Sequence, residues 1–163
     1  MVTANMNGRV EVWDAAGLVT RVLSPGRAWV AGGAFGGDGA SIVTVTGGVP
    51  QVWDADGKLR GRLSGGAGKI TGFTMSRDGS TFVTGSGGET ATVWNADCSV
   101  RHRLGGHGSR VVGAVIGEST VVTRSKDGLT RVWSDRGHLL ETLTGAEDGG
   151  ALTPGLPVGG FNA

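Results

Sequence analysis

The chain has no tyrosine, one cysteine, and aromatic residues at only 6% of its 163 positions. Without tyrosine it lacks the repeated polar aromatic platforms that would line a sugar or small-molecule site. The lone cysteine, Cys98, cannot close an internal disulfide, so the chain suits a reducing compartment and Cys98 reads as a turn residue. Charge is scarce and balanced, 18% of residues with a net charge of +1, which gives no reason to expect a nucleic-acid or anionic-membrane partner. No apolar run approaches a membrane span, and no basic stretch followed by an apolar run opens the chain. The expectation is a soluble, cytoplasmic protein. A sustained helical period is missing as well, so the regular structure should be strand.

What the chain has is glycine, 33 of it, and a repeat. Val10-Glu11-Val12-Trp13-Asp14 returns as Gln51-Val52-Trp53-Asp54, as Thr92-Val93-Trp94-Asn95 and as Arg131-Val132-Trp133-Ser134. Trp13, Trp53, Trp94 and Trp133 lie roughly 40 residues apart, a period that marks stacked supersecondary units. A Val-Thr pair precedes each Trp: Val2-Thr3, Val43-Thr44, Val83-Thr84 and Val122-Thr123. The second copy is one residue shorter between its Thr and its Trp. Each Trp should be buried against a neighbouring unit, a contribution of roughly 2–3 kcal/mol, with the upstream Thr as partner for the indole N–H.

Around these anchors the pattern predicts short strands separated by turns that mostly contain glycine. The first unit reads as 1–5, 9–14 and 19–23, lacking an opening strand. The second reads as 29–35, 41–46, 50–54 and 58–63, the third as 70–75, 81–86, 90–95 and 99–104. The fourth reads as 111–116, 120–125, 129–134 and 138–143. Alternation at Val10/Val12 and at Val100/Leu104 gives the sheets faces to stack with. The last strands of the first three units carry Arg21, Arg60, Arg62, Arg101 and Arg103, and charged residues of this kind on an exposed edge discourage stray strand pairing.

These repeats resemble those of the WD40 family. The run 75–86, Met-Ser-Arg-Asp-Gly-Ser-Thr-Phe-Val-Thr-Gly-Ser, followed by Val93-Trp94, fits the pattern closely. Gly106-His107 is similar to the signature Gly-His dipeptide, and Trp13-Asp14 and Trp53-Asp54 to the Trp-Asp pair. The resemblance implies an all-β fold, a β-propeller of four-stranded antiparallel blades, with four blades in residues 1–145. It also implies a buried network of His, Ser or Thr, Asp and Trp in each blade. His107, Thr123, Asp127 and Trp133 match all four positions; elsewhere Gly26 and Gly66 stand at the His position, and Asn7 and Gly88 at the Asp position.

The ends of the chain shape the expected assembly. The first unit wants one strand, and the Gly/Pro-rich segment 146–163 offers one around 149–156. Four blades subtend half of an eight-bladed ring, and a half-ring exposes apolar faces at both ends. Two copies joined head to tail close the ring, each C-terminal strand completing the partner's first blade. A compact four-bladed monomer and a fragment of a longer propeller are the competing accounts.

No catalytic constellation, cofactor motif or metal-ligand cluster stands out. Asp54-Ala55-Asp56-Gly57 starts like a calcium loop but lacks the downstream Glu, and its counterparts mark it as a hairpin turn. The expected function is non-catalytic: a WD40-type interaction scaffold that self-assembles and binds a protein or peptide on one face. Arg27, Trp29, Lys69, Glu89, Arg110 and Lys126 occupy the loops that should crowd that face, with a Trp and basic residues typical of contact hot spots. The alternative is a purely structural or self-assembling module without a ligand.

Overall fold

The computed structural model describes residues 2–4, 9–23, 30–35, 41–64 and 70–144. These form four antiparallel sheets, taken up in chain order, and no helix. The first sheet holds β1 (Val2–Ala4), β2 (Val10–Trp13) and β3 (Val19–Leu23). The second holds β4 (Val30–Phe35), β5 (Ile42–Thr46), β6 (Val49–Trp53) and β7 (Leu59–Arg62). In the third are β8 (Ile70–Met75), β9 (Thr81–Ser86), β10 (Ala91–Asn95) and β11 (Val100–Leu104). The fourth closes with β12 (Val111–Ile116), β13 (Thr120–Ser125), β14 (Leu129–Ser134) and β15 (Leu139–Thr144). Each sheet is a meander whose sequential strands pair, and β3, β7, β11 and β15 are outer edges. Their five arginines are exposed. The tail at 146–163 lies outside the described residues.

Alternation and glycine-bearing turns place the strands. The hairpin after β2 shows how: Asp14 Oδ1 accepts from the N–H groups of Ala16 and Leu18, both at 2.9 Å, and Gly17 takes φ +78°. Asp54 repeats this before β7, accepting from Asp56 at 3.0 Å and Lys58 at 2.8 Å, with Gly57 at φ +80°. In the third sheet Cys98 stands where the others have glycine and takes φ +67°. The turn between β5 and β6 explains the short second copy. Thr46 pairs with Val49, leaving the two-residue loop Gly47-Gly48 with both φ values positive, as a primed hairpin turn requires.

Packing follows from the two faces of each sheet. Val10, Val12 and Leu23 meet Ile42 and Trp53 between the first and second sheets. Val43, Val52 and Leu63 meet Phe82 and Trp94 at the next junction. Val83, Val93 and Leu104 meet Val121 and Trp133 at the third. Between neighbouring sheets β1 runs beside β4, and β12 beside β8 and β9.

The expected alternation fails at Val100, which is 40% exposed although Leu104 is fully buried. A β-bulge is the reason. Val93 pairs with His102 but Trp94 pairs with Val100, so Arg101 is extra and the phase changes between Val100 and Leu104. The same bulge recurs at Thr20, Arg60 and Leu140, and a second recurs between the first two strands of the second, third and fourth sheets.

Candidate functional site

The structure puts the four tryptophans and their threonines together in one way. Trp13, Trp53, Trp94 and Trp133 each donate Nε1–H to the hydroxyl oxygen of Thr3, Thr44, Thr84 and Thr123, at 2.8, 3.0, 2.9 and 2.8 Å. Strand pairing sets each Trp two residues beyond the partner of its threonine, on the same face of the ladder, so the indole lies along the sheet and reaches it. Burying the ring without that acceptor would leave a polar N–H unsatisfied.

In the fourth sheet the bond grows into a network. His107, 2% exposed, places Nε2 2.8 Å from Thr123 Oγ1, and its ring lies 6.1 Å from that of Trp133 at a 59° tilt. Arg131 Nη1 stands 2.6 Å from His107 Nδ1. A guanidinium only donates, so Nδ1 is the acceptor and the imidazole is neutral with its proton on Nε2. Thr123 Oγ1 then accepts twice, from His107 and from Trp133. Arg131 also donates to Asp127 Oδ2 at 3.3 Å, and that same oxygen accepts the Gly108 N–H at 2.7 Å. Asp127 Oδ1 takes the Leu129 N–H at 2.9 Å. Ser125 adds a further tie, donating to Ser109 O at 2.9 Å and accepting from the Asp127 N–H at 3.2 Å.

His107, Thr123, Asp127 and Trp133 thus lie together, but Asp127 does not touch the imidazole. Arg131 stands between them. Its sequence signal was an arginine two residues before the Trp in the one repeat that has both His107 and Asp127; Glu11, Gln51 and Thr92 occupy that position elsewhere.

The electrostatics agree with the geometry. Burial, and then the Arg131 charge, push the His107 imidazolium pKa down, against a smaller upward pull from Asp127. For Asp127, burial alone would raise the pKa. The N–H groups of Leu129 and Gly108, with Arg131 and Ser125, outweigh it and bring the carboxyl to about 2. At neutral pH the set holds a carboxylate, a guanidinium and a neutral imidazole, tied together as one strap by their hydrogen bonds.

Of the six residues expected on the binding face, Arg27, Trp29 and Lys69 lie outside the described residues. The other three meet at one end of the third and fourth sheets. The Val111 N–H reaches the carbonyl of Gly88, next to Glu89, at 3.4 Å, and the Lys126 N–H donates to the Arg110 carbonyl at 3.0 Å. Glu89 and Lys126 are exposed, Arg110 is partly buried, and its Nε is buried without a hydrogen-bond partner. The strap ends here, since Asp127 follows Lys126 and Ser125 holds Ser109 beside Arg110.

A cleft of about 50 Å³ opens between the third and fourth sheets, lined by Thr81, Arg101, His102, Glu118 and Asp135 among others. That is room for a few water molecules and too small for an organic ligand. Among the described residues no group of three or more His, Cys, Asp or Glu is placed to hold a metal ion.

No protein-family model matches the chain, and no curated protein matches it. Among solved structures it is similar to the crystal structure of the computationally designed Ika8 protein. The TM-score is 0.74 at 25% identity over 89% of this chain. That match covers 46% of the designed protein, so the chain spans about half its length.

Proposed function

We propose that the chain is a non-catalytic interaction scaffold of WD40 type, its four sheets successive blades of a β-propeller that a second copy completes to eight. Three features support the reading: meander sheets stacked in chain order, a shared Trp–Thr bond in every sheet, and likeness to half of a longer designed chain. The binding face is the end where Glu89, Arg110 and Lys126 converge. The observation that carries it is the strap, which holds the loop entering β12 to the turn after β13 and so fixes Arg110 beside Lys126. Rigidly held loops with exposed charge are suited to selecting a protein or peptide partner.

The test is a charge reversal at the two exposed positions, Glu89→Lys with Lys126→Glu. Tagged wild-type and variant chains are compared in pull-downs from the same extract. A protein captured by the wild type and lost by the variant supports the scaffold. Identical capture by both would sink it and leave the second reading, a structural module with no ligand. Similarity to a computationally designed protein favours that second reading.

A further inference from the structure

The three junctions between sheets follow one pattern, and the two ends of the array carry the halves of a fourth. On one side of each junction stands the leucine ten residues after the Trp: Leu23, Leu63 and Leu104 are 1%, 0% and 0% exposed. Leu143 holds that place in the last sheet and is 44% exposed. On the other side stands the Trp, 6%, 1% and 4% exposed at Trp53, Trp94 and Trp133. Trp13, with no described sheet in front of it, is only partly buried.

The outer rim adds a match in size. The residue eight after each Trp meets the turn glycine position of the following sheet. Arg21 lies 3.6 Å, through Cδ, from where a Cβ at Gly57 would stand. The His102 Cβ lies 3.0 Å from the same point at Gly137. At the middle junction the sizes are reversed, since Gly61 faces Cys98 and a Cβ on Gly61 would come within 2.8 Å of the Cys98 Cβ and Sγ. A large residue meets glycine, and glycine meets the one such turn that carries a side chain. Two members of the series are unmatched. Glu141 is exposed in β15, and a Cβ at Gly17 would meet nothing within 4 Å.

We propose that these ends are docking surfaces for a second copy of this chain. The outward face of β14 and β15 seats on the Trp13-bearing face of the partner's first sheet, covering Leu143 and setting Glu141 over Gly17. The partner returns the same contact, so two identical junctions close the pair and neither face is left open. The inference rests on the reading of the sheets as successive blades and names the partner that completes them. A large residue over a glycine is the combination already present at Arg21–Gly57 and His102–Gly137. The fourth junction therefore needs no rearrangement of either surface.

Cysteine pairing tests the contact directly. In a Cys98→Gly background, one chain carries Glu141→Cys and another Gly17→Cys; Cys98 shows that the turn accepts a cysteine. Mixed and oxidised, the two single variants should give a disulfide-linked species of two chains that neither gives alone, because the interior counterparts bring these positions into contact, and a small separation of the sheets reaches disulfide spacing. Light scattering of the unlinked protein should give twice 16.5 kDa across a dilution series. Leu143→Arg should reduce this to one chain with the far-UV circular dichroism retained. A single-chain mass at every concentration overturns the proposal, as does an open-ended series of larger species. So does an intramolecular disulfide when both cysteines are on one chain, which would mean that four sheets close on themselves. None of these substitutions touches Glu89, Arg110 or Lys126, so failure here and failure of the binding face are separately visible.

Discussion

The third and fourth sheets share a strand plan and differ in their polar interior. Both bury a Trp bonded to a Thr, Trp94 to Thr84 and Trp133 to Thr123. Both use a serine at the end of the second strand to steady the next turn: Ser86 Oγ accepts from the Gly88 N–H, as Ser125 Oγ does from Asp127. Only the fourth adds His107, Arg131 and Asp127. The third has Gly88 and Thr92 where the fourth has Asp127 and Arg131, yet it keeps the same four strands in the same order. The architecture therefore does not require the His107–Arg131–Asp127 strap. The strap has a narrower task, tying the entry to β12 onto the turn after β13.

The sharpest way to break this comparison is to remove the shared acceptor in each sheet. Thr123→Val leaves two buried N–H groups without a partner, those of His107 and Trp133, and should cost about 2–5 kcal/mol in urea unfolding. Thr84→Val strands one, that of Trp94, and should cost about 1–3 kcal/mol. Equal losses would show that the His107 bond adds nothing to the fourth sheet.

Arg131→Met probes the strap itself and should cost about 1–3 kcal/mol, since His107 Nδ1 and Asp127 Oδ2 both lose a buried donor. The equivalent change Thr92→Met, where no strap exists, tests packing alone. A loss at residue 92 as large as that at 131 would remove the polar network as the cause.

Acid should expose the strap before it exposes anything in the third sheet. The folded His107 pKa lies below its unfolded value near 6.5, so the folded state binds fewer protons there. Its contribution is complete above about pH 6.5 and fades as the pH falls toward the folded pKa. Asp127 acts in a lower window: its contribution is complete above about pH 4 and is lost as the pH falls to about 2. Denaturant midpoints measured from pH 8 to pH 5 should decline in the wild type, and His107→Gln should flatten that slope.

A comparable effect belongs to the junction between the second and third sheets. Gly61→Ala would press a Cβ into Cys98, whose position is held by its turn, and should destabilise by about 1–3 kcal/mol. Combining it with Cys98→Gly should recover most of that loss. Failure to recover would mean that Gly61 is required for some reason other than room.

Much of this was legible in the sequence. Period and alternation placed the strands to within a residue or two, and Ile70–Met75, Thr81–Ser86, Val111–Ile116, Thr120–Ser125 and Leu129–Ser134 match to the residue. Spacing also pointed each Trp to its Thr. The site was less legible. His107, Thr123, Asp127 and Trp133 were found through a resemblance. Arg131 was missed because an arginine on a strand ordinarily reads as solvated, and only the neutral imidazole and the carboxylate beside it make burial tolerable.

Strand identity and turn position belong to the sequence alone, because alternation and a turn residue such as Asp14 or Gly17 act over a few neighbouring positions. Which side chains are buried was decided by tertiary structure. Val100 is exposed because pairing with β10 inserts a bulge. Leu104 and Leu143 occupy the same place in their repeats, and only Leu104 has a further described sheet packed over it. A leucine is covered or open according to whether another sheet arrives to exclude water from it, and that depends on the neighbour, not on the residue.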